Sequence, residues 1–195
     1  MEVIAKQSEN IVGDTREYII DTARRLFSKY SYLGVSMNDI AKKLNITKAA
    51  LYYHFVGKAE IYEKVLDDVF NDLSLAVSQE VSEGTADEKL HKLIKNYLDF
   101  GFKEKNLIKS LMLKLPPDER KIPKHIARLR EQVAHLVQPV VEEAMTNKKL
   151  TGKVDSKLLT SMLTGVMDGL LLEYSFLNKK IDSEKVSNQI IAVLF

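Results

Sequence analysis

Residues 36–58 decide the fold, and they read SMNDIAKKLNITKAALYYHFVGK. Ser36 and Asp39 stand three residues apart, which is the spacing of a capping box at the start of a helix. Asn45 tolerates the left-handed backbone that ends a helix, and Thr47 can cap the next one. The stretch therefore predicts two short helices around a tight turn: Met37–Leu44, the turn Asn45-Ile46-Thr47, and Lys48–His54.

Longer helices flank this pair on both sides. The preceding helix is expected to begin after Thr15 as its N-cap, behind a disordered or poorly ordered start over residues 1–12. The following helix is expected to run from Lys58 to Val81 and to join the N-terminal part to the rest of the chain. Both have apolar residues at helical spacing: Ile19, Ala23, Leu26, Phe27 and Tyr30 in the first, and Tyr62, Val65, Leu66, Val69, Phe70, Leu73 and Val77 in the second.

The remainder also has helical periodicity, and the whole sequence predicts an all-α protein of about nine helices. Only 8 Gly and 4 Pro occur among 195 residues, and the first 115 residues contain no Pro, which leaves room for long helices. We expect a three-helix N-terminal domain over residues 1–60 and a helical bundle over residues 61–195. Further helices are expected after Asp87, over residues 106–114, from about Pro123, after Asp155, and after Asp182 or Ser183.

Two short helices joined by a tight turn and preceded by a third make a helix-turn-helix, whose second helix lies in the major groove of DNA. Lys48 can reach a base or a phosphate there, and the small Ala49 permits close approach to a thymine methyl. Tyr52, His54 and Lys58 offer hydrogen bonds or charge to phosphates. The formal net charge is only +2, but residues 36–58 hold four Lys and one acidic residue. An ordinary helical hairpin with a Tyr-rich packing face has the same spacing, so spacing alone leaves both interpretations open.

The stretch from Thr15 to Ile61 closely resembles the DNA-binding domain of TetR-family transcriptional regulators. Its most specific part is the run Leu51-Tyr52-Tyr53-His54-Phe55, which Lys58 follows three residues later. This resemblance covers about a quarter of the chain, and the remainder is similar to the family only in length and helical character. The other matching residues are Ile19, Ala23, Leu26, Phe27, Ser36, Asp39, Ile40, Ala41 and Thr47.

The resemblance implies a cytoplasmic homodimer, usually a repressor, that binds a palindromic operator in double-stranded DNA and is released by a small-molecule effector. It implies no cofactor, and it places Lys58 against a phosphate and Met37 and Asn38 near the DNA. Family members often have Gly at the positions of Ser31 and Asn45, so this chain departs from the family at two turns. The predicted DNA-binding residues are Met37, Asn38, Thr47, Lys48, Ala49, Tyr52, His54 and Lys58.

The helix after Asp155 gives an independent indication of a dimer. Small residues recur at every fourth position, and apolar residues cover much of the remaining surface, so the helix must be buried on most sides. A partner chain can cover one side, although a central core helix of a monomer would have the same pattern. In the family the last two helices form the two-fold interface, and the residues predicted for it are Ser161, Gly165, Gly169, Val186, Ile190, Val193 and Leu194.

The helices of the C-terminal bundle are expected to surround the effector pocket. Met and aromatic residues at helical spacing belong more often to a core than to a pocket, so the sequence defines the lining poorly. Because basic residues are not concentrated on the apolar faces, we expect an apolar or aromatic effector. The candidate lining residues are His91, Tyr97, Phe100, Met112, His135, Met162, Met167 and Asp168.

An enzyme is the main competing class, and the sequence offers no catalytic or metal motif for it. The chain has no Cys, no Gly-rich phosphate loop, no H-E-x-x-H and no G-x-S-x-G. Glu88 and His91 form one Glu-x-x-His, but a di-metal bundle needs two such motifs. No apolar run approaches the length of a membrane span, which is about 18 residues. A further alternative is a helical interaction protein that keeps the fold and does not read DNA.

Overall fold

The fold is a bundle of α-helices in two packed groups. A computed structural model describes residues 2–79, 81, 83–111, 121–148 and 154–195, with side chains from residue 15 onward except those of residues 110 and 111. Nine helices lie within these described residues, which confirms the predicted all-α class. They are α1 Glu2–Tyr30, α2 Met37–Leu44, α3 Lys48–His54, α4 Lys58–Ser78, α5 Ala86–Lys103, α6 Lys105–Leu111, α7 Lys121–Asn147, α8 Ser156–Phe176 and α9 Ser183–Leu194.

The ends of α2 and α3 are set by the residues that the sequence indicates. The Ser36 hydroxyl accepts from the Asp39 N–H at 3.2 Å, and the Asp39 carboxylate accepts from the Ser36 N–H at 2.9 Å, so the capping box is complete. Asn45 ends α2 with φ 56° and ψ 40°, in the left-handed region. The Thr47 hydroxyl then accepts from the Ala50 N–H at 3.1 Å and starts α3. The predicted helix pair and its turn are confirmed.

Other helix boundaries differ from the prediction, most of all at the N-terminus. The predicted start at Thr15 is wrong, because α1 is already helical from Glu2. The disordered or poorly ordered start over residues 1–12 stays a prediction. Residues 2–12 contain neither Pro nor Gly, so no residue there interrupts helical hydrogen bonding. The helix α4 ends at Ser78 instead of Val81, and residues 112–114 of the predicted sixth helix lie outside the described residues.

The N-terminal group, α1 to α3, packs on the first half of α4. Three aromatic rings form its centre, with the centroid of Tyr62 4.9 Å from that of Phe27 and 4.8 Å from that of Tyr32. The same apolar cluster continues along α4 to Val69 and reaches Leu107 of α6. The core of the N-terminal group therefore crosses the predicted domain boundary between residues 60 and 61, and α4 belongs to both groups.

The C-terminal group is built around α5, which contacts α4, α7, α8 and α9. Gly101 of α5 lies against α8, where a Cβ atom at this position would be 2.2 Å from the Leu171 Cδ1 atom. Only Gly therefore allows this approach without displacing Leu171. Within the part of the chain that the structure describes, no helix combines the length and the hydropathy that crossing a membrane requires.

Candidate nucleic-acid interface and ligand cavity

The short helix α3 packs on the N-terminal core with one face and exposes its other face to solvent. Leu51 and Phe55 are buried in the N-terminal core and fix the inner face of the helix. Thr47 and the first three residues of α3, Lys48 to Ala50, are exposed, and so is Tyr52. The helix therefore presents its N-terminal end to solvent, which is the end that a recognition helix directs at base edges.

Arg16 of α1 fixes the other end of α3. Its guanidinium donates to the carbonyl oxygen of His54, the last residue of α3, and lies 4.2 Å from the centroid of the Phe55 ring. It also lies 3.4 Å from the Glu60 carboxylate, which accepts a 2.7 Å hydrogen bond from the Val56 N–H. Periodicity could not reveal this contact, because Arg16 and His54 are 38 positions apart and belong to different helices.

Lys58, predicted as a phosphate contact, is half-buried and bound within the chain. Its Nζ donates to the Tyr32 carbonyl oxygen at 2.9 Å and lies 4.1 Å from the centroid of the Tyr32 ring. This contact places a positive charge beside the start of α4, next to the exposed end of the N-terminal group. A phosphate contact by Lys58 stays a prediction.

The surface around α3 differs from the predicted set at two residues. Met37 is only 8% exposed and packs in the N-terminal core, so the prediction of a DNA contact is wrong for its side chain. It stands on the inward face of α2 with Ile40, whereas Asn38 is exposed. Tyr53, which the prediction left out, is 80% exposed on α3. Its neighbour His54 is half-buried.

Positive charge surrounds this exposed surface. Lys42, Lys43 and Lys48 are exposed on α2 and α3, and the Lys48 Nζ lies 5.7 Å from the centroid of the Tyr52 ring. The acid of the stretch, Asp39, has its carboxylate bound to the Ser36 N–H and hydroxyl. An exposed face with Lys and Tyr side chains suits phosphates and base edges.

A cavity of about 420 Å³ lies in the C-terminal group. Its walls come from α4 to α8, and apolar side chains such as Phe70, Phe100 and Leu107 form most of them. On α7 the lining runs from Ile126 to Ala134. A mostly apolar, concave site of this size is typical of a small-molecule pocket.

A polar group of three side chains lies in the wall of this cavity. The Tyr97 hydroxyl donates to Asp168 Oδ1 at 2.6 Å, and the other carboxylate oxygen, Oδ2, lies against the Arg130 guanidinium. Burial and then the neighbouring carboxylate raise the pKa of Tyr97 well above its ordinary value. The hydroxyl is therefore a hydrogen-bond donor at all physiological pH values. The three residues connect α5, α7 and α8.

Three of the predicted lining residues, Tyr97, Phe100 and Asp168, border the cavity. His91 instead lies between α5 and α9, with Nδ1 3.0 Å from the Ser187 hydroxyl and Nε2 3.1 Å from Glu184. The prediction of a pocket role is wrong for His91, because α5 turns this residue away from α7 and towards α9. Arg130 was missed by the sequence prediction, because a charged residue is ordinarily expected on the solvent side of a helix and not in the wall of an apolar cavity.

The other predicted lining residues lie elsewhere. His135 is exposed on α7, and Met162 is exposed on α8. Met167 is fully buried in the core, where it packs against apolar side chains rather than the cavity. Helical spacing placed all three in the bundle, but not on the side of each helix that faces the cavity. Met112 lies outside the described residues.

The predicted dimer surface is partly exposed. On α8, Ser161, Gly165 and Gly169 lie along an exposed ridge, and a Cβ atom at either Gly would meet no atom of the described chain within 4 Å. On α9, Val193 is open, with 81% exposure. Ile190 is 6% exposed in the core of its own chain, and Val186 and Leu194 pack against that core. The α9 face with these three residues is therefore turned inward.

Two family models match the chain. "Bacterial regulatory proteins, tetR family" matches residues 19–65, which hold the helix pair and its flanks. "YsiA-like protein, C-terminal region" matches residues 63–195, which hold the cavity. The two matches meet on α4, the helix that belongs to both packed groups.

Curated relatives match the N-terminal half. The "Biofilm operon icaADBC HTH-type negative transcriptional regulator IcaR" of Staphylococcus epidermidis is 48% identical over 56 residues, which is 29% of this chain and 30% of that protein. IcaR of Staphylococcus aureus (strain Newman) is 35% identical over 106 residues, 53% of this chain and 56% of that protein. The chain thus spans between about a third and about half of the length of these relatives.

Solved structures resemble the whole chain. FadR of Bacillus subtilis in complex with stearoyl-CoA has a TM-score of 0.77 at 19% identity, covering 90% of this chain and 95% of that one. PfmR of Thermus thermophilus has a TM-score of 0.69 at 20% identity, covering 90% and 96%. At these identities the likeness establishes the fold.

Proposed function

The chain belongs to the TetR family of bacterial regulatory proteins, and from that premise we propose that it is a homodimeric transcriptional repressor released from its operator by a small molecule. The family makes it a DNA-binding regulator rather than an enzyme. As a regulator of bacterial genes it would act in the cytoplasm, where the DNA lies. The IcaR relatives, which are named negative transcriptional regulators, support repression as its mode of action.

The observation that carries the proposal is the presentation of α3. Its inner face is fixed by Leu51, its C-terminal end by Arg16, and its N-terminal end is exposed with Lys48 and Ala49. A rigid helix with a free N-terminal end suits insertion into the major groove. In a two-fold dimer, two such helices would read palindromic half-sites whose centres are about 34–36 Å apart.

Release by an effector is supported by the path from the cavity to α3. Val69 and Phe70 of α4 line the cavity, and α4 begins at Lys58, two residues after the Val56 N–H that Glu60 holds. A displacement of α4 at the cavity would therefore move the support of α3. A ligand changes DNA affinity by this route only if it binds the two arrangements of the dimer unequally.

We propose an apolar or aromatic effector, because apolar side chains dominate the cavity wall. The Bacillus subtilis neighbour was solved with stearoyl-CoA, whose acyl chain is a long apolar group. That complex supports an extended apolar part in the effector of this chain.

The test is a binding selection from random duplex DNA with the purified full-length chain, read by sequencing at moderate salt. We expect enrichment of a palindrome, and the affinity for it should fall with salt with a slope near −0.9 per neutralised phosphate. The selection is repeated after unfolding and refolding, which removes any ligand that was purified with the protein.

Each outcome of the selection has one meaning. A palindrome in both preparations, or only after refolding, supports a dimeric sequence reader. No enrichment in the refolded preparation, with the fold intact by circular dichroism, contradicts DNA reading and favours a helical interaction protein.

A further inference from the structure

The cavity wall holds more negative than positive charge. Among the described residues, three carboxylates (Glu104, Glu131 and Asp168) and one guanidinium, that of Arg130, line it. Arg24 of α1 lies outside the lining, and its one positive charge is shared between Glu104 at 2.8 Å and Asp72 at 2.7 Å. The Asp168–Arg130 pair cancels within the lining, and the shared Arg24 offsets Glu104 only in part, so the described wall stays net negative.

Asp168 has hydrogen-bonding capacity to spare. Its Oδ1 accepts from the Tyr97 hydroxyl, but its Oδ2 is buried and accepts no well-aligned hydrogen bond from the described residues. The charge that neutralises Oδ2 is the Arg130 guanidinium, which lies close to it in the ion pair. A carboxylate oxygen has two lone pairs, so a donor on a bound ligand can add a well-aligned hydrogen bond where the ion pair supplies only charge.

We propose that the effector is an apolar molecule carrying one positively charged amine, which donates to Asp168 Oδ2 and takes the place of the Arg130 guanidinium. The inference rests on the proposed effector function of this cavity and specifies the ligand's chemistry. The apolar part lies against Phe70, Phe100 and Leu107, and the amine lies at the Tyr97–Asp168 end of the cavity.

The difference in exposure between the two partners explains why an amine can displace Arg130. The Arg130 side chain is 51% exposed and can turn into water, whereas the Asp168 side chain is 24% exposed and stays in the wall. Tyr97, which is 7% exposed, keeps its hydrogen bond to Oδ1 and holds the carboxylate in place.

An anionic head group meets the opposite situation. Its one cationic partner in the described lining is Arg130, whose single charge already serves Asp168, so the anion would compete with a mostly buried carboxylate for its counter-ion. Removing one partner of such a pair is strongly unfavourable. The anion would also face the negative charge of Glu131. The site therefore favours a cation over an anion with the same apolar part.

The experiment compares four ligands on the full-length dimer by isothermal titration calorimetry, below their micelle concentrations. Decylamine, 1-decanol and decanoate share one chain length and differ in the head group, and stearoyl-CoA represents the ligand of the structural neighbour. We expect decylamine to bind about tenfold or more tightly than 1-decanol, since a charge-assisted hydrogen bond replaces a neutral one. Decanoate and stearoyl-CoA should bind more weakly than decylamine.

Three variants locate the interaction. Asp168→Asn keeps the shape of the side chain and an oxygen acceptor for the Tyr97 hydroxyl. It should weaken the binding of decylamine about tenfold or more, because the negative charge is lost. Arg130→Gln changes a half-exposed side chain. It should strengthen the binding of decylamine, because the guanidinium that competes with the amine for Asp168 Oδ2 is removed. Asp21→Asn makes the same change at an exposed position of α1 that lies outside the cavity wall, and it is the matched control that should leave decylamine binding unchanged.

The outcomes separate this inference from the proposed function. The amine proposal is overturned if decanoate or stearoyl-CoA binds more tightly than decylamine, or if none of the four ligands binds. It is also overturned if decylamine binds equally to wild type and to Asp168→Asn. Operator binding, measured without any ligand, tests the repressor independently of all three results. If Asp168→Asn does not fold, weaker decylamine binding to Arg130→Gln than to wild type overturns the inference instead.

Discussion

Lys48 and Lys58 carry positive charge at two different depths of the same surface. Lys48 stands on the exposed start of α3, whereas Lys58 is half-buried and donates to the Tyr32 carbonyl oxygen. A side chain at the tip of a recognition helix can reach a base edge, and one held beside the start of α4 can reach only the backbone of the DNA. The two residues are therefore expected to have different roles.

The first prediction compares Lys48→Ala with Lys58→Ala in titrations of the selected operator and of scrambled duplexes. Lys58→Ala should weaken binding to all DNA sequences similarly. It should also reduce the slope of the salt dependence of binding by about 0.9, because one phosphate contact is lost. Lys48→Ala should change the preference among sequences. If Lys58→Ala changed sequence preference at constant salt slope, the phosphate assignment would be wrong. Thermal unfolding of both variants controls for the lost contact with Tyr32.

Single residues differ in how far the sequence predicted them. Asn45 could be placed in the left-handed region because its residue type tolerates that backbone. Ser31 has φ 62°, although its residue type gives no such signal. Met37 was placed near the DNA by the resemblance to the family, and the structure instead buries it beside Ile40 on the inward face of α2. Local conformation was thus more predictable than exposure.

At the scale of the helix, hydrogen bonds within a few residues set the boundaries. The capping boxes Ser36–Asp39 and Thr85–Glu88 are both complete, and in each the two residues lie three positions apart in the sequence. Hydrogen bonds from the Ser36 hydroxyl and N–H lower the pKa of Asp39. The folded protein therefore binds a proton at Asp39 less readily than the unfolded chain does.

The second prediction uses this linkage through Asp39→Asn. Because the pKa of Asp39 is lowered by folding, its stabilisation is present above the unfolded pKa of about 4 and is lost as the pH falls through the folded pKa. The variant should be less stable than wild type in urea unfolding at pH 7, and the difference should shrink on acidification below about pH 4. Asp21→Asn is the matched loss of one exposed acidic side chain on α1. A difference that stays constant down to the lowest pH would contradict the capping role.

The faces of the later helices were less predictable than their ends. The caps Asp155 and Asp182 mark α8 and α9 correctly. The apolar face of α9 was assigned to a partner, yet Ile190 on that face packs into its own core. On α8, Met162 and Met167 point to opposite environments, one exposed and one buried. Apolar periodicity identifies a face, but only the packing of the other helices decides what covers it.

At the scale of the whole molecule, the guanidinium of one arginine connects the N-terminal group to the cavity wall. Arg24 of α1 lies 2.7 Å from the Asp72 carboxylate of α4 and 2.8 Å from the Glu104 carboxylate at the end of α5. Burial disfavours its charge, but these two carboxylates outweigh the burial and raise the pKa of Arg24. Glu104 also lines the cavity. Arg24 therefore connects a residue of the cavity wall directly to α1.

The third prediction tests this connection with Arg24→Gln. Arg24 does not line the cavity, but its loss leaves Glu104 without this counter-ion, so ligand affinity in the absence of DNA is measured separately and should not fall for an amine. The ratio of operator affinities without and with ligand should fall several-fold, since coupling between sites is typically about 5- to 150-fold. This ratio is measured by fluorescence anisotropy, and the ligand is the one of the four test compounds that releases the operator. Arg25→Gln, at the exposed neighbouring position, is the control and should keep the wild-type ratio.

The fourth prediction concerns the proposed two-fold assembly and uses the open ridge of α8. A side chain at Gly165 meets nothing within the described part of its own chain, so Gly165→Arg should leave the fold and the thermal unfolding of the protomer intact. In a dimer packed through this ridge, the same side chain would separate the partners. We expect a monomer by analytical ultracentrifugation and a loss of affinity for the full palindrome that exceeds the loss for a single half-site. Asn71→Arg adds the same charge to the exposed surface of α4 and should remain dimeric. A dimeric Gly165→Arg variant would place the interface elsewhere, because a long charged side chain cannot be accommodated where two helices meet through glycine.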